Sequence, residues 1–202
     1  GNPALTPFEQ KQRTAAETAA INTAFAEGLS PEEKQDLDPD AAIETVGERI
    51  SRLGEARAQA SGDAAANPYG FGREAWINTI LKHRPELAEG KTPADILALR
   101  ADRDLAAEMI AASLAGSAGF LAARGHAATP GRLHLAHVLS PQTVLQLLEA
   151  DPDDRAIDAD AVAAPLRPDL FFVDGDETRP RTAAEVLALA DEEASGTRLV
   201  DW

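Results

Sequence analysis

Apolar residues recur at helical spacing along most of the chain, and most such stretches open on a capping signal. Thr6-Pro7-Phe8-Glu9 supplies an N-cap, a proline at the first helical position and a capping-box glutamate. It predicts a helix to about Glu27, ended by Gly28. Ser30-Pro31-Glu32-Glu33 repeats the signature and opens a short helix. Asp38-Pro39 opens a third, carried to about Ala60, whose seam of Ile43, Val46, Ile50 and Leu53 is spaced three and four apart. Residues 61–72 are rich in turn formers and read as a loop. Further helices are predicted through Trp76, Ile77, Ile80 and Leu81, from Thr92-Pro93, over the longest central stretch from Asp102 to Arg124, from Thr129-Pro130 and from Ser140-Pro141. A polar segment around 151–160 is followed by a short helix that leads to Asp169-Leu170-Phe171-Phe172-Val173. A turn at Asp174-Gly175-Asp176 and a last helix from Thr182 to about Ala194 complete the pattern.

Composition sharpens this into an all-α fold. Alanine, the best helix former, makes up about a fifth of the chain, well above ordinary usage, so thin helices can pack closely. The 202 residues suit one domain, or one domain plus an arm, and no solenoid repeat is present. Residues 1–37 carry few large apolar side chains (Phe8, Ile21, Phe25, Leu29) and read as an N-terminal helical arm, either packed on the domain or docking a partner. Residues 38–195 form the domain proper, and residues 196–202 a C-terminal tail. The opening Gly1-Asn2-Pro3, without Met, reads as a processed or excised fragment in which an export signal would not be visible.

Charge and chemistry exclude several classes. Thirty-four acidic against 19 basic side chains give a net charge of −15, which argues against nucleic acid as a partner. No run approaches the roughly 20 apolar residues of a membrane span, so the chain is not expected to be membrane-spanning. The absence of Cys removes disulfides, thiolate metal sites and thiol nucleophiles. His134 and His137 are three apart, yet no carboxylate completes a site beside them, so neither a metal nor a cofactor is expected. Asp151-Pro152-Asp153-Asp154 and Asp158-Ala159-Asp160 lack the spacing of a calcium loop and read as a solvated face.

Several stretches between Leu37 and Ala194 together carry a resemblance to a known family. Asp63-Ala-Ala-Ala-Asn-Pro-Tyr-Gly-Phe-Gly-Arg-Glu-Ala-Trp76 is similar to a loop of the type S-S-A-x-G-[LP]-[FY]-Q-F-x-x-x-T-W. Ala98-Leu99-Arg100-Ala101-Asp102 is similar to A-L-R-x-D-P, and Leu135-Ala136-His137-Val138-Leu139-Ser140 to A-H-F-L-G. Phe171 to Val186, with Asp174-Gly175 and Pro180-Arg181-Thr182, matches a subgroup's C-terminal ending. In order and spacing these resemble the lysozyme-like lytic transglycosylase (SLT-type) domains of bacteria, and most closely a subgroup from alphaproteobacterial envelope, flagellar and phage-tail contexts. The resemblance implies a lysozyme-like helical domain, a periplasmic or cell-envelope location, and peptidoglycan glycan strands or an envelope protein as partner.

The departures from the family pattern bear most on function. The family's single catalytic Glu stands at a helix end in the pattern R-E-S. Counting back from Trp76, Arg49 and Ser51 align with the flanking residues and Ile50 takes the acid's place. The loop's Gln is replaced by Gly70, its leading Gly by Asn67, and the Gly after the histidine segment by Ser140. The resemblance implies that one Glu acts as acid and then as base while the sugar's own 6-hydroxyl attacks. A hydrocarbon has no proton to give, and losing a general acid costs about 10²–10⁴-fold in rate.

Substitute acids are few. Glu48 lies roughly 200° round the helix from Ile50 and should face away from it. Glu55 could reach the cleft if the helix ends at Gly54. Glu74 is more simply a first-turn carboxylate facing the dipole of its own helix. The expected cleft is therefore lined by Ser51, Asn67, Tyr69, Gly70, Phe71 and His137, with no catalytic residue. Ile50 also belongs to the core seam, Trp76 reads as a core anchor, Tyr69 as a sugar-stacking or packing aromatic, and His137 as a satisfied, partly buried histidine. The expected function is a degenerate, non-catalytic transglycosylase-like module, a scaffold or a binder of peptidoglycan or protein. The alternatives are an active lytic transglycosylase cleaving MurNAc-GlcNAc strands with a displaced Glu, and a purely structural interaction domain whose cleft has closed.

Overall fold

The computed structural model describes residues 38–61, 67–159 and 167–194. The predicted arm at 1–37, the first part of the 61–72 loop and the tail at 196–202 lie outside the described residues. What is described is all-α. The α-helices are α1 (Pro39–Ser61), α2 (Arg73–His83), α3 (Pro93–Ala98), α4 (Arg103–Ala122), α5 (Pro130–Val138), α6 (Pro141–Glu149), α7 (Ala156–Ala159), α8 (Pro168–Phe171) and α9 (Ala183–Ala194). Single turns of 3-10 helix follow α2, α3 and α8.

The starts of α3, α4, α5, α6 and α9 sit where the sequence signals place them, and the reason is visible at each of these caps. Thr92 and Asp95 form a reciprocal capping box at α3, and the Thr182 and Glu185 side chains do the same at α9. Asp102, Thr129 and Ser140 each accept from a backbone N–H three residues on, with Pro130 and Pro141 at the first helical position. The turn expected at Asp174-Gly175-Asp176 follows α8, and Asp174 and Gly175 both take left-handed backbone angles there, φ 54° and φ 72°.

Among the described residues, two apolar clusters make the interior. The first gathers Val46 and Ile50 of α1, Trp76 and Ile80 of α2, Met109, Ile110 and Leu114 of α4, and Leu133 of α5. Trp76 is completely buried, and its indole N–H donates to the Ile96 carbonyl at 2.7 Å, so the anchor carries no unpaired polar atom. The second cluster gathers Leu121, Leu135, Val144, Leu147, Phe171, Val186 and Leu189. Helices α4 and α5 supply residues to both. Gly131 of α5 lets α9 come close: a Cβ there would overlap the Asp191 carboxylate and lie 2.7 Å from its Cα.

One correction to the sequence reading concerns α4. By length and composition it is apolar enough to cross a membrane, with a mean hydropathy of 1.5 over its best 18 residues. A search for runs of large apolar residues misses it, since Ala, Gly and Ser dilute the run without adding charge. Here α4 is a core helix, with Leu105, Met109, Ile110, Leu114 and Leu121 buried against its neighbours.

Candidate functional site

A cleft opens where the second half of α1, the 67–72 loop, α5 and the start of α8 converge. Ile50, Leu53 and Arg57 approach from α1, Tyr69 and Gly70 from the loop, His134, His137 and Val138 from α5, and Arg167 from the N-terminus of α8. Its volume is about 220 Å³. That is below the range of roughly 300–1,000 Å³ common for sites that enclose a drug-sized ligand, so it suits one small group.

The loop is held from several directions. The Asn67 side chain clamps Phe71, donating to its carbonyl at 2.9 Å and accepting from its N–H at 3.0 Å. Gly70 closes the turn with its N–H on the Asn67 carbonyl and a left-handed φ of 64°. Arg100 donates a second bond to the Phe71 carbonyl at 3.1 Å. The Phe71 ring is buried edge-on to Trp76 and His137, with centroids 5.1 and 5.2 Å away. The Tyr69 ring lies against α1 at Gly54, where any Cβ would overlap it.

His137 bonds to the Tyr69 carbonyl at 3.0 Å. A carbonyl only accepts, so Nε2 carries the proton and Nδ1 remains an acceptor in the neutral ring. Burial pushes the His137 pKa down, against the pull of that bond. His134 is 2% exposed, and burial, with His137 and the Arg49, Arg167 and Arg57 charges, lowers its pKa from 6.5 to about 3. Both imidazoles are therefore neutral at pH 7, and the full charges lining the cleft are the guanidinium groups of Arg57 and Arg167.

The arginines differ in their partners. Arg167 holds Asp169 through two bonds, Nε to Oδ1 at 3.1 Å and Nη2 to Oδ2 at 2.7 Å. Arg57 donates Nη1 to the Pro68 carbonyl across a long 3.4 Å, and its buried Nη2 has no hydrogen-bond partner among the described residues. Arg49 Nε is buried in the same condition. Leaving a buried donor unpaired costs about 1–3 kcal/mol, and more when the group is charged.

No carboxylate is among the described residues that line the cleft. Glu48 is exposed on the other side of α1, where it and Ser51 border an open groove against Ala107 and Ala111 of α4. Glu55 does not gain access by a helix end at Gly54, because α1 continues to Ser61. Its carboxylate instead pairs with Arg103 at the head of α4, 2.6 Å away. Glu74 occupies the first turn of α2. Among the described residues no group of three His, Asp or Glu is placed to hold a metal ion.

Of the residues assigned to the cleft by sequence, Ile50, Tyr69, Gly70 and His137 meet there. Asn67 and Phe71 stand behind it as the frame of the loop, and Ser51 borders the α1–α4 groove. The sequence reading did not name Arg57, Leu53, Val138 or Arg167 for the cleft. Arg57 had a signal, since it lies seven residues from Ile50 and four from Leu53, on the same helical face. No family model, curated protein or solved structure matches the chain.

Proposed function

We propose that this chain is a lysozyme-like module of the bacterial cell envelope that binds at its cleft without cleaving glycosidic bonds. The observation that carries the reading is the side chain at the cleft floor. Ile50 is 4% exposed, belongs to the core and lines the cleft, in the position where the resemblance expects the only acid. Glycosidic cleavage requires a proton donor at the leaving oxygen, and the cleft presents two guanidinium groups and two neutral imidazoles instead. A guanidinium keeps its proton at any physiological pH. The neutral His137 has committed its N–H to the Tyr69 carbonyl. Glu55, the strongest substitute, is paired with Arg103 and does not line the cleft. The retained fold then serves recognition, with a peptidoglycan component or an envelope protein as the partner and the periplasm or envelope as the location.

The test is incubation with purified peptidoglycan sacculi, followed by analysis of the soluble fraction and by co-sedimentation. The expected result is protein in the pellet with no released anhydro-muropeptides. Release that disappears in Glu55→Ala would establish the displaced-acid enzyme and end the non-catalytic reading.

A further inference from the structure

We propose that the cleft is a carboxylate-binding pocket in which Arg57 supplies the principal donor. The proposal deepens the non-catalytic reading and rests on the cleft being a site of binding.

The protein carries a net charge of −15, yet the ionised side chains that line this cleft are two arginines. Arg57 and Arg167 line the cleft, and Arg49 is near enough for its charge to act on His134 together with theirs. Like charges do not collect around a concave surface without cost, and of the two lining cations only Arg167 has a carboxylate beside it among the described residues. Asp169 satisfies Arg167 through two bonds, but among the described residues no carboxylate pairs with Arg57. Its Nη2 is buried and lacks an acceptor among the described residues, and the side chain that carries it is part of the wall of a space of about 220 Å³, so a small turn of the guanidinium would present that donor to a ligand. The Gly70 backbone passes close to the guanidinium, since a Cβ there would stand 3.7 Å from Arg57 Nη1.

The chemistry of the walls selects the ligand class. A guanidinium donor prefers a planar oxyanion, and Ile50, Leu53 and Val138 offer an apolar wall to the carbon attached to it. A carboxylate on a small, partly apolar body meets both requirements. In peptidoglycan fragments that group has two sources, the lactyl acid of a muramic sugar and the free terminus of a peptide.

The test is isothermal titration of the intact chain at low salt with two acids and their neutral counterparts. The pairs are N-acetylmuramic acid against N-acetylglucosamine, and N-acetyl-alanyl-alanine against its terminal amide. The pocket predicts that at least one acid binds tenfold or more tightly than its neutral partner. Whichever pair shows the difference identifies the source. Arg57→Gln should abolish the preference, and Arg57→Lys should retain part of it. Arg103→Gln, outside the cleft, should retain all of it, and thermal melts confirm that each variant is folded. Equal binding of acid and neutral compounds, or a preference that survives in folded Arg57→Gln, overturns the pocket. Cleavage of sacculi would remove the non-catalytic reading alone, since the acid-to-neutral comparison is measured independently of it.

Discussion

His137 and Tyr69 are joined by a single hydrogen bond, imidazole Nε2 to main-chain carbonyl at 3.0 Å, across 68 positions of sequence. It ties α5 to the loop that forms the other wall of the cleft. It also fixes the tautomer of a ring whose remaining nitrogen is an acceptor.

Removing that tie should loosen the loop before it unfolds the domain. His137→Ala deletes the bond and the edge-on contact with Phe71, at 5.2 Å between centroids. The expected loss is about 1–3 kcal/mol, read as a lower Tm. Amide exchange should rise at Tyr69, Gly70 and Phe71 more than in α4. Unchanged exchange in the loop would show that Asn67 and Arg100 hold it alone.

Acid should weaken the fold in a defined window. His134 has a folded pKa of about 3 against an ordinary 6.5, and His137 is shifted in the same direction. The unfolded chain therefore binds more protons than the folded one between those values. Stability is fully present above about pH 6.5 and is lost as pH falls toward 3, at up to ~1.4 kcal/mol per pH unit for each proton. Asp95, Asp169 and Asp176 are lowered below the usual carboxylate range and add their own loss further into acid. Urea melts between pH 7.5 and 4.5 isolate the histidines. A flat profile over that interval would contradict the burial of His134.

Gly54→Ala tests how the cleft wall is seated. The new methyl group would occupy the Tyr69 ring's position, and the ring is backed by buried structure. The ring must move, at a cost of about 1–3 kcal/mol. Displacement of Tyr69 also reshapes the pocket, so the variant should lose affinity for its ligand by more than its stability loss explains. A crystal structure with the ring unmoved would refute the contact.

Ile50→Glu asks whether restoring an acid restores chemistry. The introduced carboxylate would stand in the cleft with the Arg57 guanidinium, whose Nη2 lacks a partner among the described residues. That pairing holds the carboxyl ionised, the wrong state for a proton donor. The variant should fold less stably by about 1–3 kcal/mol, and sacculi should remain intact at neutral pH. Turnover by the single variant would mean that the rest of the catalytic surroundings had survived.

Most of the fold was legible because its helices announce their beginnings. Thr92, Thr129, Ser140 and Thr182 carry side-chain acceptors beside a proline or a capping acid, and these local bonds are decided within four residues. The cleft was legible in part. The seam of α1 marks Ile50 as a core residue, while its place at the cleft, like those of Tyr69, Gly70 and His137, was expected from the family resemblance alone. Arg57 shares the face of Ile50 and Leu53, but a charge at the end of an apolar seam reads as a solvated side chain. Arg167 enters from α8, more than 100 positions away, through contacts that no local pattern encodes. The bond between Asn67 and Phe71 was equally hidden, because an Asn in a loop announces a turn without naming its acceptor.

The sharing of α4 between the two interior clusters has a mechanical consequence. Met109, Ile110 and Leu114 face one cluster and Leu121 the other, along one uninterrupted rod. No hinge separates the two ends of that rod, so a displacement at Leu121 in one cluster reaches Met109 and Ile110 in the other through continuous helix. A load applied to either cluster is therefore borne by both.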